Sequence, residues 1–181
     1  DADYVIGEVE LGDRRSSFTV STEGRMLGRV DLFVPGTYNV YNATAALIAC
    51  LKAGIPFEEA AIGLSKFHGA KRRFQVLADE GGVLVVDDYA HHPTEIEATL
   101  RAAKTTGKRI VAVFQPQRYT RTFFLLDAFS RAFTDADEAI IVDIYSPAGE
   151  QPIEGVHSSI LTDLIKERSN SSARYLATKE E

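Results

Sequence analysis

Two arginines three positions apart, Arg118 and Arg121, stand where a helix is expected to begin. At that spacing the side chains leave from neighbouring positions and can hold one anionic group, each charge-assisted contact being worth about 1.5 to 3 kcal/mol. The bland alternative is two solvated arginines paired with surface acids at about 0 to 1 kcal/mol each; Tyr119 between them favours a site. A second group, Asp88-Tyr89-Ala90-His91-His92-Pro93-Thr94-Glu95, joins a carboxylate that accepts from hydroxyls to an imidazole that exchanges protons near neutrality. The same run reads as a helix start, with Pro93 early and Glu95 at the positive end, so His92 is expected to be structural while His91 stays open to either role. Asn39 and Asn42 offer amides that could read an adenine edge or cap a turn. Lys71-Arg72-Arg73-Phe74 is either a solvated linker or a contact to phosphate and ribose, and spacing alone favours the linker.

The hydropathy rhythm says what must hold these groups. Residues 4–10, 17–20 and 27–34 read as short strands, and 43–51 and 56–66 as helices, ending a first block near His68-Gly69. After residue 70 the chain alternates: strand 83–87, helix 93–104, strand 109–114, helix 121–133, strand 138–144, helix 158–168 and a short strand near 173–176. That alternation predicts an α/β fold with a doubly wound, mostly parallel sheet. Its strands are continuous apolar runs, as expected when helices cover both faces. One apolar stripe is expected on helix 93–104 (Ile96, Leu100, Ala103) and one on helix 121–133 (Phe124, Leu125, Ala128, Phe129, Ala132). In open parallel sheets ligands bind beyond the carboxyl ends of the strands. The polar clusters after residues 87, 114 and 143 fall there, so three loops are expected to share one rim.

Composition narrows the partners. With 45% apolar and 25% charged residues the chain is neither disordered nor membrane-spanning. Twenty basic against 26 acidic residues give a net charge of −6, which argues against broad attraction to nucleic acid or anionic lipid. Cys50 is the lone cysteine, which excludes an internal disulfide and fits a reducing cytoplasm; no metal cluster is expected at His91-His92. The opening Asp-Ala-Asp-Tyr is neither a signal peptide nor a natural start, so the sequence reads as a piece of a longer protein.

Five stretches in order resemble the Mur ligase family: Gly36-x-x-Asn39-x-x-Asn42-Ala43-x-Ala45-Ala46, Gly69-x-Lys71-Arg72-Arg73-Phe74, Asp87 to Ile96, Phe114-Gln115-Pro116-x-Arg118-Tyr119-Thr120-Arg121-Thr122, and Ala148-Gly149-Glu150-x-Pro152-Ile153. The third and fourth are highly specific. The resemblance implies ATP-dependent amide ligation through an acyl phosphate, with L-alanine joined to UDP-N-acetylmuramate in peptidoglycan synthesis, and hence a part in cell-wall growth, cell shape and division. It also implies residues 1–70 as the tail of a central ATPase domain and 71–181 as most of a C-terminal Rossmann-like domain that receives the amino acid. Carried over residue by residue, Asn39, Asn42, Arg73 and Asp88 resemble ATP contacts. Tyr89, His91, Arg118 and Arg121 resemble the substrate wall, with His91, Arg118 and Arg121 nearest the chemistry. ATP and Mg2+ are the implied cofactors. No glycine-rich phosphate loop occurs in these residues, so the magnesium ligands and phosphate grip are expected upstream, and the chain alone is expected to be inactive.

Tyr38 and Gln117 depart from the family pattern, where histidine is frequent, and Glu150 is given no role. Residues 83–88 also resemble the first strand and acidic pair of receiver domains, with Asp143 as a phosphoacceptor. That class requires a lysine after a fifth strand and leaves Arg118-Tyr119-Thr120-Arg121 unexplained.

Overall fold

The computed structural model describes residues 2–177, which divide into two compact units between Tyr89 and Ala90. In the first unit β1 (Tyr4–Gly12), β2 (Arg15–Thr22) and β3 (Arg25–Leu32) form an antiparallel sheet with β2 in the centre. Helix α1 (Thr37–Lys52) buries Val40, Ala43, Thr44 and Leu47, and α2 (Phe57–Ser65) buries Ala60. The helical positions recur every three or four residues, and Phe18 with Val20 and Val30 with Leu32 recur every two, so each element turns one apolar stripe into a common core.

The same unit holds a hairpin, β4 (Gln75–Glu80) with β5 (Val83–Asp87), paired antiparallel. This corrects the expectation that strand 83–87 opens the parallel sheet. Between the two strands lie only Gly81 and Gly82, with φ +59° and +82°; two successive positive φ values are what a tight hairpin turn demands and what glycine adopts without steric cost. The Gly-Gly pair therefore pairs β5 with the strand before it.

In the second unit β6 (Val111–Phe114), β7 (Glu138–Val142) and β8 (Arg174–Leu176) form a parallel sheet in that order, which bears out the α/β class. Helices α3 (Pro93–Lys104) and α6 (Ser158–Arg168) keep their expected bounds. Ile96, Leu100, Phe114, Phe129, Phe133, Ile141, Leu161 and Ile165 make the core. Val111 and Val113 are 43% and 68% exposed, so the expected burial of both faces is not met along β6. Helix 121–133 is in fact two short helices, α4 (Tyr119–Phe124) and α5 (Leu126–Arg131), hinged at Leu125, whose φ of −110° and ψ of 15° leave the helical range. The hinge resets the phase of the stripe: Phe124 is 78% exposed and Ala128 is also outside, while Phe129, Ala132 and Phe133 are buried.

Candidate functional site

Helix α4 carries Arg121, while Arg118 stands at its N-cap rather than inside it, with φ +70°. A bulky residue there costs about 1 to 3 kcal/mol and persists only where its surroundings over-determine it. They do so here. The Arg118 amide donates to the Tyr145 carbonyl at 2.9 Å, the Tyr145 amide donates to the Pro116 carbonyl at 2.8 Å, and Gln117 bridges Tyr145 in parallel. The Arg118 carbonyl accepts from both the amide and the hydroxyl of Thr122, at 3.1 and 2.9 Å, and Thr122 is fully buried. Two of the three expected loops thus meet beyond β6 and β7. The Arg118 guanidinium is exposed and makes no ion pair among the described residues. Arg121 is half-buried and its Nη1 donates to Oε1 of Gln117 at 2.9 Å, so the departure at position 117 steers an arginine. The bland reading, two arginines paired with surface acids, is not what the loop shows.

Glu150, expected to have no role, belongs to this loop. Its carboxylate accepts from the Tyr119 amide at 3.1 Å, the Thr120 amide at 3.2 Å, the Thr120 hydroxyl at 2.7 Å and the Ser146 hydroxyl at 3.1 Å. The Thr120 hydroxyl, followed by these amides, holds the Glu150 carboxyl below the usual carboxylate range. No local spacing could have found it, because Thr120 and Glu150 are 30 positions apart.

Helix α3 opens as expected. His92 is its N-cap, Pro93 follows, and Glu95 Oε2 accepts from the amides of His91 at 2.9 Å and His92 at 3.2 Å. The return bond, from the Thr94 amide to His92 Nδ1, is 3.4 Å long. Most of the cap therefore rests on Glu95. Glu95→Ala lowers stability by about 1 kcal/mol, and His92→Ala by less, read as shifts of the urea midpoint. His91 is half-buried with Nδ1 3.4 Å from Glu95 Oε2.

The other sequence-predicted residues lie in the first unit. Asn39 sits in the first turn of α1, its Nδ2 donating to the Pro35 carbonyl at 2.7 Å, and Asn42 is exposed one turn further on. The helix N-cap is Gly36, with no side-chain cap, so neither asparagine serves as one. Asp88 Oδ2 accepts from the Phe74 amide at 2.8 Å. Residues 71–74 are no plain linker: Arg72 and Phe74 both have positive φ, and Phe74 is buried. The Arg72 guanidinium lies over the exposed Tyr89 ring at 4.5 Å and 3.3 Å from Asp87. Arg73 lines a cavity of about 330 Å³ together with Lys71, His68, Phe33 and Pro35.

Tyr38 stands beside Asn39 in the first turn of α1, and its buried hydroxyl makes no full hydrogen bond. Burial, then the Asp88 carboxylate, push that hydroxyl up to about 12, while the Arg73 guanidinium and the Asn39 side chain pull the other way. A buried donor without a partner costs about 1 to 3 kcal/mol, so this is a place where an outside polar group is gained cheaply.

Residues 72–181 match the family described as Mur ligase, glutamate ligase domain. The chain is 46% identical over its whole length to 39% of the UDP-N-acetylmuramate–L-alanine ligase of Pelotomaculum thermopropionicum. Over 88% of its length it is 49% identical to 33% of the same-named enzyme of Symbiobacterium thermophilum. Among solved structures, the UDP-N-acetylmuramate-alanine ligase of Thermotoga maritima aligns with 98% of this chain and 38% of its own, at TM-score 0.80 and 26% identity. The chain thus spans about two fifths of the relatives it matches.

Proposed function

Because the chain belongs to the Mur ligase family, we propose that it is part of an ATP-dependent ligase that joins L-alanine to UDP-N-acetylmuramate in peptidoglycan synthesis. In this reading residues 1–70 are the C-terminal part of the central ATP-binding domain, and 71–181 are an incomplete C-terminal domain that receives the amino acid. The observation that carries it is the arginine loop: one guanidinium with no ion pair among the described residues and one steered by Gln117, on a backbone held in a costly conformation. A free amino acid offers a carboxylate that paired guanidinium groups can hold while its amine stays free to attack.

ATP supplies a phosphoryl group that turns the muramoyl carboxylate into a good electrophile. The alanine amine then attacks the acyl carbon, the acyl C–O bond breaks with its electron pair going to phosphate, and the amine gives up a proton. Holding alanine falls to Arg118 and Arg121, lining the substrate to Tyr89 and His91, and taking the proton from the amine to His91. The nucleotide is assigned to Asn39, Asn42, Arg73 and Asp88. The buried Tyr38 hydroxyl, next to Asn39 in the first turn of α1, fits a polar ligand at that place. Magnesium finds no cluster of three His, Cys, Asp or Glu among the described residues, and none of them is assigned to it. No helix of the described residues is long and apolar enough to cross a membrane. The reading sets the reaction in the cytoplasm, with small-molecule partners and the rest of the protein's own chain.

The full-length protein, given ATP, magnesium, UDP-N-acetylmuramate and one of L-alanine, glycine, L-serine or an intact tripeptide, should release ADP and phosphate with L-alanine preferred. The 181-residue chain alone should show no ligation. Preference for the tripeptide, or ligation by the chain alone, overturns the reading.

A further inference from the structure

A carboxylate close to two arginines would ordinarily pair with them and neutralise the site. Glu150 does not. Its oxygens accept four donors, the Tyr119 and Thr120 amides and the Thr120 and Ser146 hydroxyls, and none of these is a guanidinium. An ionised carboxylate has about four lone-pair positions, so its accepting capacity is spent on the loop. Helix α4 has no side-chain cap of its own, since its N-cap residue is Arg118. The first amides of any helix have no partner within it, and here Glu150, from the segment that follows β7, satisfies two of them.

The Ser146 hydroxyl also lies 3.3 Å from the Glu150 carbonyl, which closes the 146–150 turn on itself. One end of that turn is fixed to the arginine loop by the Tyr145–Pro116 and Arg118–Tyr145 bonds, and the other by the Glu150 carboxylate. The left-handed backbone at Arg118 is thus held on both sides.

We propose that Glu150 is a positioning residue: it caps α4 and fixes the Arg118 backbone, so that the Arg118 and Arg121 guanidinium groups are preset for the carboxylate of the incoming amino acid. This rests on the reading of the arginine loop as the alanine receiver. Presetting matters because a displacement of about 1 Å in a positioning group can cost about a hundredfold in rate or affinity.

The test uses the full-length enzyme with Glu150→Ala, Glu150→Gln and Glu150→Asp. Glu150→Ala should raise the KM for L-alanine about ten- to a hundredfold, with the KM for ATP and for the UDP-sugar within about twofold of the parent. Glu150→Gln should fall between, since an amide keeps one accepting oxygen, and Glu150→Asp should not rescue, because it is one methylene short. Amide exchange at Tyr119 and Thr120 should speed up in Glu150→Ala whatever the substrate. An unchanged alanine KM overturns the proposal, and so does a parallel rise for all three substrates that tracks a lower melting temperature. If the unsubstituted enzyme does not use alanine, the functional reading fails instead, and exchange at Tyr119 and Thr120 still decides whether Glu150 holds the loop.

Discussion

Arg118→Ala and Arg121→Ala in the full-length protein each raise the KM for L-alanine by about ten- to a hundredfold, the equivalent of one charge-assisted contact of about 1.5 to 3 kcal/mol. Truncating Arg118 should leave the melting temperature nearly unchanged, since its side chain has no ion-pair partner among the described residues. Arg121 gives up its bond to Gln117 as well, so its variant should lose a little stability along with affinity. If the two share one carboxylate, the double variant costs less than the product of the single effects. Lysine should restore only part of the loss at either place, because an ammonium lacks the planar pair of donors. Arg118→Gly separates backbone from side chain: it relieves the positive φ and keeps the fold, yet should bind alanine as poorly as Arg118→Ala. Unaltered alanine kinetics in both alanine variants would falsify the receiver assignment.

Phe133→Ala is expected to cost about 3 to 5 kcal/mol, a large share of the 5 to 15 kcal/mol of a typical domain. The ring is fully buried, 5.6 Å from that of Phe114 and tilted 55°, and the Phe129 ring packs on Phe114 at 5.5 Å. The backbone around it cannot easily collapse into the gap. Asn170, itself buried, donates to the Phe133 carbonyl at 3.3 Å and the Ala136 carbonyl at 2.6 Å, and accepts from the Ser172 amide at 3.0 Å. Phe133→Leu keeps much of the volume and should cost clearly less. The urea midpoint of the second unit's unfolding reads both. A Phe133→Ala loss under about 1 kcal/mol would mean that this cluster is not the core of the unit.

Local pattern carried far. Helices 93–104 and 158–168 were legible to the residue because each begins at a capping side chain and ends with basic residues in its last turn. Gly81-Gly82 is a local hairpin signal, but the apolar run 83–86 equally fits a buried parallel strand, so the pairing was not settled by pattern alone. The break at Leu125 was not legible, because apolar residues continue through it and both helical phases look alike over so short a span.

Residue types and order alone determined which side chains could do chemistry, that strands and helices alternate after residue 70, and which family the chain belongs to. Only the tertiary structure decided that Arg118 stands outside its helix, that Glu150 accepts from four donors rather than pairing with an arginine, and that the Tyr38 hydroxyl is buried without a full hydrogen bond. The reason is one of range. Caps and periodicity act within a turn or two of the chain, whereas the groups that fix Arg118 come from residues 145 and 150, and folding alone brings them within hydrogen-bond distance.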